Sequence, residues 1–184
     1  MGWVLLVLGV GLWWAAHLFK RVAPARRDAM GDKGKAVVAL ALLVSIVLMV
    51  FGYRDTGFVN IWFPPGFLVH VNNLLVLIAI FMMSPAPKKG RLLNGMRHPM
   101  LTGFAIWAIA HLLVNGDLAS VLLFGGLLVW AVVEMGMINA AEPEWTPPAT
   151  GTYGKDAMFF AASIVLLAII GYIHGLVGPS PFGS

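Results

Sequence analysis

The sequence predicts an all-α integral membrane bundle of six transmembrane helices, with both termini on the periplasmic side and no separate soluble domain. Three observations carry that prediction: the composition, the spacing of the polar breaks and the placement of the basic residues. Of the 184 residues, 60% are hydrophobic and 11% are charged, and mean hydropathy is +0.88. A soluble domain of that length cannot bury so much apolar surface, so the remainder faces lipid.

Six apolar stretches follow one another: Trp3–Phe19, Ala36–Tyr53, Phe67–Met83, Pro99–Val114, Leu118–Met137 and Ala157–Val177. Most reach the ~17–25 residues that a hydrocarbon core of ~30 Å demands at ~1.5 Å per residue. The first is read as a retained helix, because a signal peptide would carry its positive charge before the apolar run and here the charge follows it. Pro99 stands at a helix start, where its missing N–H costs nothing. The fourth stretch is the shortest and is divided from the fifth only by Asn115-Gly116-Asp117. That tripeptide is expected to form a tight turn, since Asn and Gly tolerate positive φ. Gly125 and Gly126, inside the fifth, are expected to permit close helix approach.

Orientation comes from the basic residues. The first loop holds Lys20, Arg21, Arg26, Arg27, Lys33 and Lys35, the third Lys88, Lys89, Arg91 and Arg97, and the fifth Lys155. The second loop holds only Arg54 and the fourth none. Basic residues concentrate in cytoplasmic loops, so the odd loops face the cytoplasm of a bacterial inner membrane. Trp3, Trp62 and Trp145 fall near the predicted interfaces, where amphipathic indoles are favoured. The net charge of +4 thus belongs to juxtamembrane loops and not to a nucleic-acid-binding face. The turn-rich linkers Ser84–Lys89 and Glu142–Gly151 are too short to be domains, so residues 1–184 read as one transmembrane domain with its chemistry inside the bundle. No convincing internal repeat stands out, so an inverted-repeat transporter has little support.

The chain has no Cys, which excludes disulfides, thiolate metal sites and iron–sulfur clusters. Any cofactor must be held by His, carboxylates or Met. His17, His70, His111 and His174 lie within or at the ends of predicted helices, and His98 opens the fourth beside Pro99. Ionisable groups in lipid are costly and usually face the bundle interior, although a neutral imidazole is cheaper and an interhelical hydrogen bond is the plain alternative. No zinc spacing occurs: His98 and His111 are 13 residues apart, about 20 Å along one helix. One His from each of two helices is instead an arrangement that holds haem. His17 lies toward the cytoplasmic end of its helix and His70, His111 and His174 in the opposite half. The Cα levels of His17 and His111 come out ~16 Å apart on untilted helices, whereas His70 is better matched in depth to His111. Glu134, in the cytoplasmic quarter of the fifth helix, reads as a structural ion pair before a proton-transfer group. Asn72 and Asn73 read as interhelical hydrogen-bonding groups.

The most distinctive string is Arg97-His98-Pro99-Met100-Leu101-Thr102-Gly103, followed by Trp107-Ala108-Ile109-Ala110-His111-Leu112 and an Asn-Gly turn. With Ala16-His17-Leu18 near the end of the first helix, these blocks resemble the NnrU family. Its bacterial members are associated with denitrification genes, and its plant relative is the 15-cis-ζ-carotene isomerase. The resemblance implies haem b held by His111 as the principal ligand, with His17 as partner; His98 matches the family's Arg-His-Pro histidine. His70 has no family counterpart and is the second choice of partner on depth alone. One departure matters: the plant enzyme carries a Cys three residues before its haem His, proposed as the alternate ligand, and Ala108 stands there in this chain.

Three functional classes follow. The first is a haem-dependent isomerase acting on the double bonds of a lipophilic polyene that partitions into the bilayer. The second is a haem or redox sensor tied to nitrite and nitric oxide metabolism, with a gaseous ligand. The third is a non-catalytic assembly factor in which the histidines are structural. Under the resemblance, His111 is expected to be indispensable and His17 exchangeable, because the first helix would fray near its basic end and admit water.

Overall fold

The computed structural model describes residues 1–182, and the architecture is all-helical. The helices are α1 (Gly2–Val22), α2 (Pro24–Ala29), α3 (Gly31–Asp55), α4 (Leu68–Met83), α5 (Ala86–Lys89), α6 (Pro99–Val114), α7 (Leu118–Ala141) and α8 (Tyr153–Val177). Among the described residues the sole β-feature is an isolated bridge between Asn60 and Asp117.

Four helices, α1, α3, α7 and α8, are long and apolar enough to cross a membrane. This is a multi-pass membrane protein. Helices α4 and α6 are apolar but have 16 residues each, about 24 Å of rise. Most side chains of α3 and α8 are exposed, among them Leu40, Val47, Val165 and Ile173. Such surfaces fit lipid as solvent and would be anomalous in water.

The helices are longer than the sequence suggests where polar residues cap them. The first basic loop is itself largely helical: Lys20 and Arg21 complete α1, Arg26 and Arg27 lie in α2, and Lys33 and Lys35 begin α3. Helix α8 starts four residues before Ala157 because the Thr152 side chain accepts from Lys155 N at 3.3 Å, a hydroxyl N-cap. The turn before α7 also differs from expectation. Asn115 is extended at φ −117°, and among the described residues no non-Gly residue has positive φ. What Gly116 supplies is closeness: its carbonyl accepts from Ile61 N and Trp62 N at 2.7 and 3.0 Å, and a Cβ there would lie 1.9 Å from Trp62 O. Asp117 then caps α7 by accepting from Ser120 N at 2.9 Å.

The chain forms two compact units. The first comprises Met1–Phe63 and Gly116–Ala141. Its core is α1 packed on α3, with α7 added along α1; Leu6, Ala16, Met49, Leu127 and Trp130 are buried. One turn of α7, Val121–Gly125, is π-helical, a local widening common near functional sites. The Trp14 indole donates to Gly126 O at 3.0 Å just beyond that turn. Gly126 does permit close approach, since a Cβ there would meet Val10 Cγ1 at 2.9 Å, whereas Gly125 faces open space.

The second unit comprises Pro64–Asn115 and the segment that begins at Glu142. Helix α4 packs against α6 and α8. Its loops are stitched by a buried carboxylate: Asp156 Oδ2 accepts from Arg91 N and Leu92 N at 2.8 and 3.2 Å. Asn94 donates to the carbonyls of Pro148 and Ala149 at 3.0 and 3.2 Å.

Candidate functional site

Each unit contains one histidine whose ring is fixed by its own helix. In the first unit His17 Nδ1 lies 3.0 Å from Trp13 O, one turn back along α1. A carbonyl oxygen only accepts, so Nδ1 carries the proton and Nε2 holds the lone pair. That neutral tautomer is the form in which an imidazole binds a metal through Nε2, with the Nδ1 bond fixing the ring. The ring is also clamped by indoles, its centroid 4.3 Å from Trp13 and 4.4 Å from Trp130 of α7.

A second rung of contacts follows one turn further on. Arg21 is four residues past His17, and Glu134 is four past Trp130, so both pairs repeat on the same helix faces. Arg21 Nε lies 3.7 Å from Glu134 Oε1, with both side chains largely enclosed. The structure thus supplies the ion pair that the sequence favoured for Glu134. Its other oxygen, Oε2, is buried without a hydrogen-bond partner among the described residues. Helix α1 continues through this rung to Val22, and two indoles flank the His17 ring.

The second unit repeats the device on α6. His111 Nδ1 lies 2.8 Å from Trp107 O, and the two rings are 4.7 Å apart. The His111 carbonyl accepts from Asn115 N and Asn115 Nδ2, at 3.0 and 2.8 Å. Ala105, Ala108 and Ala110 are buried, and Gly103 is pressed so close to α4 that a Cβ would come 2.9 Å from Ala79 O. Small residues are what let apolar helices approach this closely.

The shared device has a sequence signature that inspection for long repeats overlooks. Trp13, Ala16, His17 and Leu18 recur at the same spacing as Trp107, Ala110, His111 and Leu112. The Trp contributes its carbonyl, and the buried Ala keeps the neighbouring surface small.

The remaining histidines are placed differently. His98 is the N-cap of α6, with its carbonyl accepting from Thr102 Oγ1 at 2.8 Å. His70 is exposed in the first turn of α4, and among the described residues its imidazole makes no hydrogen bond. His174 of α8 has its Nδ1 2.8 Å from Pro179 O. Among the described residues there is no group of three or more His, Asp or Glu that could hold a bare metal ion. A haem, which takes only one or two axial imidazoles, makes no such demand. His17 and His111, each in its own unit, carry an Nδ1-anchored imidazole.

The family model for NnrU protein matches residues 5–181. The chain belongs to the NnrU family. All five histidines lie inside the matched stretch, as do both Trp-x-x-Ala-His turns. No curated protein and no solved structure matches the chain.

Proposed function

We propose that this NnrU family protein binds haem b within the membrane and serves the cis–trans isomerisation of a lipophilic polyene. The observation that carries the reading is the pair of histidine turns, each delivering a neutral imidazole with its proton fixed on Nδ1. When bound, the haem would supply an iron whose ligation responds to its redox state. His111 is the first ligand assigned and His17 the second, each by its own Nε2. The small, apolar residues around His111 exclude water and leave the approach to hydrocarbon.

A second reading, a non-catalytic haem sensor or assembly protein tied to nitric oxide and nitrite reduction, is favoured by Ala108. A thiolate is missing where the plant isomerase has its alternate ligand, and no Cys elsewhere can replace it. The protein purified in mild detergent from haem-replete cells should show a Soret band of low-spin haem b. Acid–organic extraction should remove all of it, since covalent attachment through Cys is impossible. Colourless protein that takes up no added hemin would defeat the isomerase and the haem-sensor readings and leave the assembly role with structural histidines. Turnover of a cis-polyene by the loaded protein would select the first, and gas binding without turnover the second.

In the membrane we read six spans, α1, α3, α4, α6, α7 and α8, in a bacterial cytoplasmic membrane with both termini periplasmic. The support is the asymmetry of Lys and Arg between odd and even loops. The two 16-residue helices then cross only with local thinning or with help from their flanks. A reporter at the C-terminus should report the periplasm; a cytoplasmic signal would mean an odd number of crossings.

A further inference from the structure

The turn of α6 that bears His111 receives a hydrogen bond from outside its own helix. Asn72 of α4 is buried, and its side-chain amide meets the carbonyl of Ala110, the residue before His111. That oxygen only accepts, so the amide places Nδ2 against it, at 3.0 Å, and its own oxygen accepts from Asn73 N at 3.3 Å and lies 3.0 Å from Asn73 Oδ1. The Ala110 carbonyl sits one residue before the ligand-bearing Cα, so the bond fixes both the depth and the rotation of that turn relative to α4. Neighbouring contacts leave little slack: Gly103 abuts Ala79 O, and Asn115 closes the helix end on the His111 carbonyl.

We infer that Asn72 is the positioning residue for His111: it sets, through the Ala110 carbonyl, the direction in which the imidazole presents Nε2. Asn73 next to it donates to Pro181 O at 2.9 Å and also lies 3.0 Å from the Asn72 side-chain amide, so its replacement gives a comparison on the same helix in which the Ala110 bond keeps its donor. The inference rests on the proposed ligand role of His111, although the orientation itself exists without haem.

Asn72→Leu keeps the branched outline and removes the donor; Asn73→Leu removes the neighbouring amide that holds the chain end. Two measurements separate the roles. In haem-free protein labelled with ¹⁵N-histidine, the ring signals of His111 (assigned by their loss in His111→Ala) should shift or broaden in Asn72→Leu and change clearly less in Asn73→Leu, which leaves the donor to Ala110 in place. In haem-loaded protein, Asn72→Leu should release haem to an acceptor roughly threefold to tenfold faster, the range expected for one interhelical hydrogen bond in a membrane. It should also alter the low-spin electron paramagnetic resonance signature, as a rotated imidazole requires. Asn72→Gln, which retains the donor on a longer arm, should fall between wild type and Asn72→Leu in both measurements. Unchanged His111 signals in Asn72→Leu, or equal changes in Asn73→Leu, would overturn the inference. Wild-type protein without haem would defeat the ligand assignment alone, since the ¹⁵N measurement still decides the role of Asn72.

Discussion

The His17 turn of the first unit and the His111 turn of the second share a residue pattern and the same Nδ1–carbonyl bond, yet different forces hold them. On α1 the partner helix contributes a flat aromatic surface, with Trp130 4.4 Å from the ring, and a long ion pair one turn away. On α6 the partner helix contributes a directed hydrogen bond, and helix contact is through Gly103 and a row of buried alanines. Aromatic pairs favour offset or edge-to-face arrangements but tolerate centroid separations over a range of roughly 4.5–7 Å, which permits sliding. A hydrogen bond loses strength steeply as its angle closes. The comparison teaches that the same histidine turn can be rigid in direction or only in place, according to what the neighbouring helix brings.

The largest expected effect exploits that difference. His111→Ala should abolish haem binding, removing the Soret band at unchanged protein yield. His17→Ala should retain haem but move it to a five-coordinate, high-spin form that binds carbon monoxide readily. Both variants keep their helices, since Ala has the highest helix propensity. If the His17 variant stays low-spin while a His70 variant does not, the depth argument was the better guide and His70 is the partner.

Next in size is the aromatic clamp. Trp130 is buried at 4% exposure and touches both Trp13 and His17. Trp130→Leu removes part of that contact and leaves a void, which should cost about 2–3 kcal/mol by the scale of large-to-small core changes. Thermal unfolding in detergent measures the cost. The His17 ring signals should broaden while those of His111 remain sharp. Equal disturbance of both rings would erase the distinction between the two turns.

How much of this was legible beforehand depends on the physical signal involved. The helices carried by long apolar runs were readable, because lipid imposes both length and composition. Their ends were not: α8 begins at a threonine cap and the first basic loop is helical, since charged residues at helix ends are compatible with either reading. Gly116 was rightly singled out but for the wrong property, because sequence does not distinguish a glycine needed for positive φ from one needed for contact with Trp62. For the site, the five histidines were visible as types. The carbonyl that orients each ring was not, because it belongs to the backbone and is marked only by the echo of Trp, Ala and His. Asn72 was readable as an interhelical group, but its target, a carbonyl 38 positions along the chain, required the fold.

The smallest effect tests how the aromatic turn is kept in register. On α7 the π-turn Val121–Gly125 inserts extra residue length, which turns everything after it about the helix axis. Leu127, Trp130, Ala131 and Glu134 are all buried, so they share the face turned to α1, and Trp130 and Glu134 reach His17 and Arg21. Gly126 N donates to both Leu122 O and Leu123 O, so the turn lies between two hydrogen-bond registers and needs something to select one. The Trp14 indole on Gly126 O is the outside contact at that point. Trp14→Phe retains the ring and removes the donor, at a cost of about 1 kcal/mol for a single neutral hydrogen bond. Amide exchange at residues 121–126 should rise, and the His17 signals should shift slightly with the turn, while the His111 turn, which lies in the other unit, should be silent. Protection unchanged at 121–126 would mean that packing of Val10 on Gly126 alone sets the register of α7.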